Sequence, residues 1–252
     1  MDNIDKFDNN IVNNTSILDF VKITDESIKN NQPNNEIKPI KQIEKMLNSS
    51  VDDDEDIVEV GIDEAGRGCL AGRVYTASVI LPDKYPDDLY LEINDSKKLS
   101  PKKRQELRRY IENIAIDYSV EYSDIDEIEE KNILHATIAA MHRSITKLNV
   151  APDNILVDGN YFKQYSDKNG IIIPHQTIKK GDTKYRNIAA ASILAKVYHD
   201  EHILELLEKN PDYEKYGWRK NMCYATKLHR DAITEYGITE FHRKSFGICR
   251  NY

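Results

Sequence analysis

The chain has 252 residues, room for one or two domains at roughly 150 residues each and for a core that needs no disulfide or metal staple. Its formal net charge of −8 argues, at first sight, against a polyanionic partner, while 40% hydrophobic and 31% charged residues are ordinary for soluble chains. No apolar run approaches the ~18 residues of a membrane span, the N-terminus lacks a signal-peptide pattern, and Cys69, Cys223 and Cys249 fit neither a disulfide framework nor a zinc spacing, so no membrane association and an intracellular, reducing compartment are expected.

Residues 1–56 carry 13 acids and 6 lysines, contain no glycine and end in an acidic string at 52–56. They are expected to form an Asn-rich, disordered or loosely helical extension, with a short helix around 40–47. Structure begins with a β-branched strand at 57–62, bounded by the glycine-rich turn at 65–68, and a second strand at 73–81 suggests a hairpin. A loop at 95–101 feeds a helix, with Ser100 as N-cap and Pro101 at the first helical position. That helix should run to about Ile114, with Leu107, Tyr110, Ile111 and Ile114 on one face. Residues 116–122 alternate like a strand. Leu134, Ile138, Met141, Ile145 and Leu148 have helical spacing. Residues 155–157 read as a buried strand with a carboxylate, Asp158, at its C-terminal end. A strand at 170–178 and a long helix from Arg186 to about Leu207 follow. Strand–helix alternation after a strand pair predicts an α/β domain with a mixed sheet. The charge also shifts along the chain. Residues 57–159 hold 19 acids and 13 bases, whereas residues 160–252 hold 16 bases and 11 acids.

Asp63 and Glu64 are adjacent, directly after the first strand. If the first strand and the one ending at Asp158 are neighbours, Asp63 and Asp158 converge at one edge of the sheet, where ligands of open α/β sheets bind. Each alone reads equally well as a turn residue before glycine. Asp200 lies on the long helix, whose small residues 189–192 would allow close approach to the sheet, and it pairs with Lys196 at i, i+4, as surface ion pairs also do. Carboxylates without a Cys/His ligand set suit a hard cation such as Mg2+, and two such ions would clamp an in-line phosphoryl displacement.

The motif Gly61-Ile62-Asp63-Glu64-Ala65-Gly66-Arg67-Gly68 resembles the opening signature of type-2 ribonuclease H, most closely the bacterial HII form. Asn94-Asp95-Ser96-Lys97-Lys98-Leu99-Ser100, Asn132-Ile133-Leu134-His135-Ala136-Thr137, Asp158-Gly159-Asn160 and Lys180-Gly181-Asp182 follow in that family's order. Ala190-Ala191-Ser192-Ile193-Leu194-Ala195-Lys196-Val197 with Asp200 is the most distinctive stretch, and His242-Arg243-Lys244-Ser245-Phe246-Gly247 closes the pattern. The resemblance spans about residues 58–247.

It implies a ribonuclease-H-like fold: a five-stranded mixed sheet flanked by helices in a catalytic core at 57–207, then a small helical, substrate-binding part at 208–252. It implies four catalytic, metal-holding acids at Asp63, Glu64, Asp158 and Asp200, with two Mg2+ or Mn2+ ions, Asp63 bridging them, and the Asp200 contact completed on substrate binding. The implied activity is endonucleolytic cleavage of RNA in RNA–DNA hybrids and at ribonucleotides embedded in duplex DNA, leaving a 3′-hydroxyl and a 5′-phosphate. Gly66, Arg67 and Gly68 would read the ribose 2′-hydroxyl, since backbone without Cβ can approach a sugar closely. Tyr224 would stack on the sugar after the ribonucleotide, and Lys97, Lys98 and Lys180 would contact phosphates. Seen singly, the glycines make an ordinary turn, the tyrosine packs a core and the lysines are solvated charges. His135 and His142 read as structural, and His199 receives no catalytic role.

The chain departs from the family pattern at Cys69 and Arg73, where proline or a proline-like position is usual, at Cys223, where glycine precedes the tyrosine, and at His199, where arginine precedes the last acid. These positions surround the expected groove and leave two other readings, a ribonuclease restricted to hybrids and a non-catalytic hybrid-binding protein. A phosphohydrolase of small phosphoesters has no use for the basic last third. A monomer without a sliding-clamp peptide is expected, and whether the acidic extension competes with DNA for the groove is a question the sequence leaves open.

Overall fold

The computed structural model describes residues 57–84 and 87–252; the expected extension at 1–56 and its 40–47 helix lie outside them. The described elements are β1 (Glu59–Ala65), β2 (Val74–Ile80), α1 (Asp88–Leu91), α2 (Pro101–Ile114), β3 (Asp117–Ser123), α3 (Ile125–Thr146), β4 (Asn154–Asp158), β5 (Tyr165–Ser166), β6 (Ile172–Ile173), β7 (His175–Ile178), α4 (Arg186–Lys209), α5 (Trp218–Asn221) and α6 (Lys227–Tyr236). Five strands form one sheet in the order β3-β2-β1-β4-β7. β1, β2 and β3 pair antiparallel, whereas β4 runs parallel to β1 and β7 parallel to β4. This is the expected five-stranded mixed sheet flanked by helices, followed by a small helical C-terminal part. No described helix is long and apolar enough to cross a membrane.

Period-two alternation divides the central strand between two cores. Val60 and Ile62 pack with Ile155, Val157, Met141 and Ile145, on the α3 side. The other face meets α4 through Ala189, Ala190, Ile193 and Leu194, and α2 through Leu107 and Ile111. The approach of α4 to β1 is close enough that a Cβ on Gly61 would lie 2.2 Å from the Asn187 carbonyl carbon. Asn187 serves this junction from inside the helix. Its side chain donates to the Glu59 carbonyl at 3.0 Å and accepts from the Leu81 N–H at 3.1 Å. The C-terminal part packs on the far end of α4, where Ile203, Leu206 and Leu207 meet Trp218, Tyr216, Ile233 and the segment Cys69, Leu70 and Ala71.

The α2 cap forms as expected, with the Ser100 hydroxyl accepting from the Lys103 N–H at 3.2 Å and Pro101 in the first turn. Ser100→Ala should therefore cost about 1 kcal/mol of stability, read as a lower denaturation midpoint with an unchanged slope. An unchanged midpoint would show the cap to be idle.

Four expectations need correction. β1 continues through Ala65, so Asp63 and Glu64 lie within the strand rather than after it, because both still pair with β2, opposite Ala77 and Thr76. The helix read at 134–148 begins at Ile125 and breaks at Asn132, which sits at φ 64° and ψ 163°. The Asn132 side chain accepts from the Leu134 and His135 N–H groups, restarting the helix at the point where the apolar spacing becomes regular. The strand read at 170–178 is two pieces: β6 pairs with β5 in a separate ribbon, and β7 joins the main sheet. Pro174 stands between them and has no N–H for a ladder, though its carbonyl accepts from Ile155. Finally, α1 was not anticipated; at four residues it carries no periodic signal, only the Asp87 N-cap.

Candidate active site

Alternation along β1 turns Asp63 toward the α4 face and Glu64 toward α3, where Glu64 shares a cleft with Leu134, Thr137, Ile138 and Met141. In the parallel register Ile62 lies opposite Val157, which puts Asp158 beside Asp63 at the C-terminal edge of the sheet. Asp63 is only 4% exposed, and one of its oxygens accepts from the Glu64 N–H at 2.7 Å. Burial, then the charges of Glu64 and Asp158, push its carboxyl well above the usual range, against the smaller pull of a Ser192 hydrogen bond. Burial also raises Glu64, and Arg67, 3.4 Å away, lowers it only in part. Asp158 accepts from the Gly181 N–H at 2.6 Å. The absence of a side chain on Gly181 suits this approach: a Cβ there would lie 2.6 Å from the movable end of Ile188 and 3.4 Å from the Asp158 oxygen.

Asp200 faces the same region from α4 but keeps different company. Its Oδ1 accepts from Lys196 at 2.7 Å and lies 3.0 Å from His199 Nδ1, while Arg104 stands 4.0 Å from Oδ2. Burial pushes its carboxyl up, but the His199 hydrogen bond and the Lys196 ammonium outweigh that and hold it below the usual value. Two of the acids are thus raised by burial and, secondarily, by repulsion, while the fourth is paired with cations. Among the described residues, no three acids, histidines or cysteines by themselves enclose a metal-sized position.

Of the residues expected to bind substrate, Gly66, Arg67, Gly68 and Tyr224 come together. Gly66 takes φ 86°, Arg67 and Gly68 are exposed, and a Cβ on Gly68 would be 3.9 Å from the Tyr224 ring. Cys69 and Tyr224 form an isolated antiparallel bridge, and Tyr224 is 37% exposed. Lys97 is drawn toward the acids. It pairs with Asp182 at 3.6 Å, and although burial opposes it, the charges of Asp182, Asp63, Asp95 and Asp158 hold its ammonium above the ordinary lysine value. Lys180 is exposed in a left-handed conformation beside Gly181. Lys98 is exposed and shows no ion pair among the described residues.

Two clefts flank the acids. One, of about 260 Å3, is lined by Glu64, Asp158, Arg67, Asn160 and Tyr161. The other, of about 420 Å3, is lined by Asp200 and Tyr224 together with Arg104, Lys196, Arg219 and Lys220. The basic last third of the chain thus contributes cations to the wall of a cleft that contains Asp200. Several contributors were not singled out in the sequence. Asp182, 4% exposed, anchors Lys97. Arg243 is fully buried and donates to the carbonyls of Gly72 at 2.9 Å, Arg67 at 3.2 Å and Arg73 at 3.0 Å, gripping the glycine turn from beneath. Both residues stood in recognised motifs, but nothing in a sequence reveals which carbonyls a buried guanidinium will find.

Known proteins share this arrangement of chain. Residues 60–249 match a family model described as ribonuclease HII. The ribonuclease HII of Bacteroides thetaiotaomicron is 49% identical over 193 residues, covering 77% of this chain and 91% of that relative. That of Christiangramia forsetii is 52% identical over 190 residues, covering 75% and 90%. The crystal structure of ribonuclease H2 from Pyrococcus horikoshii has a TM-score of 0.64 at 25% identity, covering 77% of this chain and 96% of that one.

Proposed function

The chain belongs to the ribonuclease HII family, a family of metal-dependent endoribonucleases, and on that premise we propose that it cuts RNA in RNA–DNA hybrids and duplex DNA at embedded ribonucleotides, leaving a 3′-hydroxyl and a 5′-phosphate. The observation that carries this reading is the meeting of Asp63, Glu64 and Asp158 at one sheet edge beside the Gly66–Gly68 turn and Tyr224. The donor set fits two Mg2+ or Mn2+ ions: every candidate ligand is a carboxylate oxygen, and the burial and mutual repulsion that raise Asp63 and Glu64 are what divalent cations would offset. An incomplete protein cage is also what such ions accept, since they retain waters and bind substrate phosphates. Bound there, the cations would supply Lewis acidity to the attacking and leaving oxygens of an in-line displacement.

The chain's own residues do the rest. Asp63, Glu64, Asp158 and Asp200 would hold the ions. The Gly181 N–H orients the Asp158 carboxylate, and Asp182 keeps Lys97 beside the acids, where its ammonium can meet a backbone phosphate. The exposed Arg67 and Gly68 backbone lies open to a 2′-hydroxyl, and Tyr224 offers its ring next to them. Arg104, Lys196, Arg219 and Lys220 provide charge along the duplex.

The test is a duplex holding one ribonucleotide, compared with a hybrid, in Mg2+ and in Mn2+. Both should be cut, with the stated ends. Cutting of the hybrid alone would restrict the activity to hybrids, in keeping with the changed residues Cys69, Cys223 and His199. Tyr224→Ala should slow cutting at the single ribonucleotide about fivefold, the loss of roughly 1 kcal/mol of ring contact, and change hybrid cutting by much less. Equal losses on both substrates would remove the tyrosine from junction reading.

A further inference from the structure

His199 touches both halves of the site just described. It is fully buried. Its Nδ1 lies 3.0 Å from Asp200 Oδ1, and its Nε2 lies 3.5 Å from Cys69 Sγ. A Cβ on Gly66 would stand 2.4 Å from the imidazole Cδ2, so the turn rests directly on the ring. The Tyr224 ring centroid is 6.1 Å from that of His199. An ionised carboxylate can only accept, and this one already accepts from Lys196 on the same oxygen, so Nδ1 carries the ring hydrogen and Nε2 presents a lone pair. The Cys69 thiol then has one hydrogen for two acceptors, Nε2 and the Met222 carbonyl at 3.3 Å.

We propose that His199 is a positioning residue with two separable duties: its Nδ1–H fixes the orientation of the Asp200 carboxylate, and its ring props the Gly66 turn, so that the ribose-reading side and the fourth acid share one support. The proposal rests on the activity proposed above. A helix-borne side chain that were merely core would need neither a polar partner at each nitrogen nor a glycine above it. Here three contacts converge on one ring, and the ring's two functions lie in different atoms.

Two variants separate them. His199→Phe keeps an aromatic ring beneath Gly66 and removes the donor to Asp200. It should lower kcat about tenfold on both substrates, as expected for one hydrogen bond to a charged group, and leave KM within about threefold. His199→Asn keeps a donor at the position of Nδ1 and removes the ring. It should retain kcat and raise KM for the single-ribonucleotide duplex about tenfold, with little change for the hybrid. Such crossed losses cannot come from general destabilisation. Both variants losing the same parameter, or losses that follow the melting temperatures, would overturn the proposal. Long-range 1H–15N spectra of the imidazoles judge the contact without any turnover. They should show His199 as the Nδ1–H tautomer in the unaltered protein and a shifted Nδ1 resonance in Asp200→Ala; an Nε2–H tautomer overturns the proposal even if cleavage is normal. Failure of the unaltered protein to cut either duplex would instead count against the activity itself, with the spectra still deciding the contact.

Discussion

Asp63→Asn should bind a hybrid duplex within about threefold of the unaltered chain and cut it roughly 10^3-fold more slowly, since Lewis-acid stabilisation is worth several kcal/mol and each 1.4 kcal/mol is tenfold. The amide is nearly isosteric and its oxygen can still accept from the Glu64 N–H, so the strand and the groove should persist. What disappears is one negative charge of the three that crowd the sheet edge. The same crowding sets a second, opposite effect. Burial and the charges of Glu64 and Asp158 raise the Asp63 carboxyl above its ordinary value, so in the folded protein the proton is held more tightly than in the unfolded chain. Stability from that proton is fully present below the ordinary carboxylate range and is lost as pH rises through the raised value. Near neutral pH and in chelator, Asp63→Asn should therefore melt at a higher temperature than the unaltered protein, with the difference shrinking on acidification. Mn2+ should raise the melting temperature of the unaltered chain more than that of the variant, because a ligand stabilises only the state that binds it. Calorimetry in chelator and in Mn2+ across this pH range checks all three signs. A variant that is less stable in chelator, or that cuts at the original rate, would refute the assignment of Asp63.

The parts of the site that were legible in the sequence are those set by local rules. Asp63 and Asp158 were readable because each ends a short apolar run, and a parallel neighbour relation, the commonest arrangement for such runs, brings them together. Ser100 and Pro101 were readable because a cap needs only its own turn. The break at Asn132 and the split at Pro174 also leave signals, an Asn able to adopt a left-handed conformation and a proline inside a strand run, but each is weaker than the apolar periodicity around it. Other features depend on distant chain and left no such trace. The long stretch of chain between Gly66 and His199 does not announce that His199 will lie under Gly66, nor does that between Lys97 and Asp182 announce an ion pair. The net charge misled for a related reason. A sum over the chain hides the fact that Arg104, Lys196, Arg219 and Lys220 line one cleft.

Arg243 carries the largest expected effect on stability. Arg243→Met, of similar length and without donors, should cost about 3–5 kcal/mol, because the Gly72 carbonyl loses its donor in a buried place and those of Arg67 and Arg73 lose theirs in partly buried ones, and an unmet buried polar group costs about 1–3 kcal/mol. Removing a charge from the interior works in the other direction, yet these carbonyls, rather than a paired carboxylate, are what solvate the guanidinium, so its loss leaves one buried and two partly buried dipoles without their donor at once. Arg243→Lys should not rescue it. An ammonium keeps the buried charge but cannot span three carbonyls as the planar fork does. At about 2–4 °C per kcal/mol for a chain of this size, the melting temperature should fall by about 10 °C in either variant. Function should follow the geometry. The fork holds the backbone at Arg67 and Arg73, and the Arg243 N–H also donates to the Leu70 carbonyl at 2.8 Å, so the turn from Gly66 to Arg73 is fixed from inside the C-terminal part. Measured well below both melting temperatures, the variants should lose more activity at a single ribonucleotide than on a hybrid, where adjoining riboses offer alternative registers for the same turn. A melting temperature within about 2 °C of the unaltered protein would show that water replaces the guanidinium, and equal losses on the two substrates would show that the fork supports the fold without shaping the reading of the sugar.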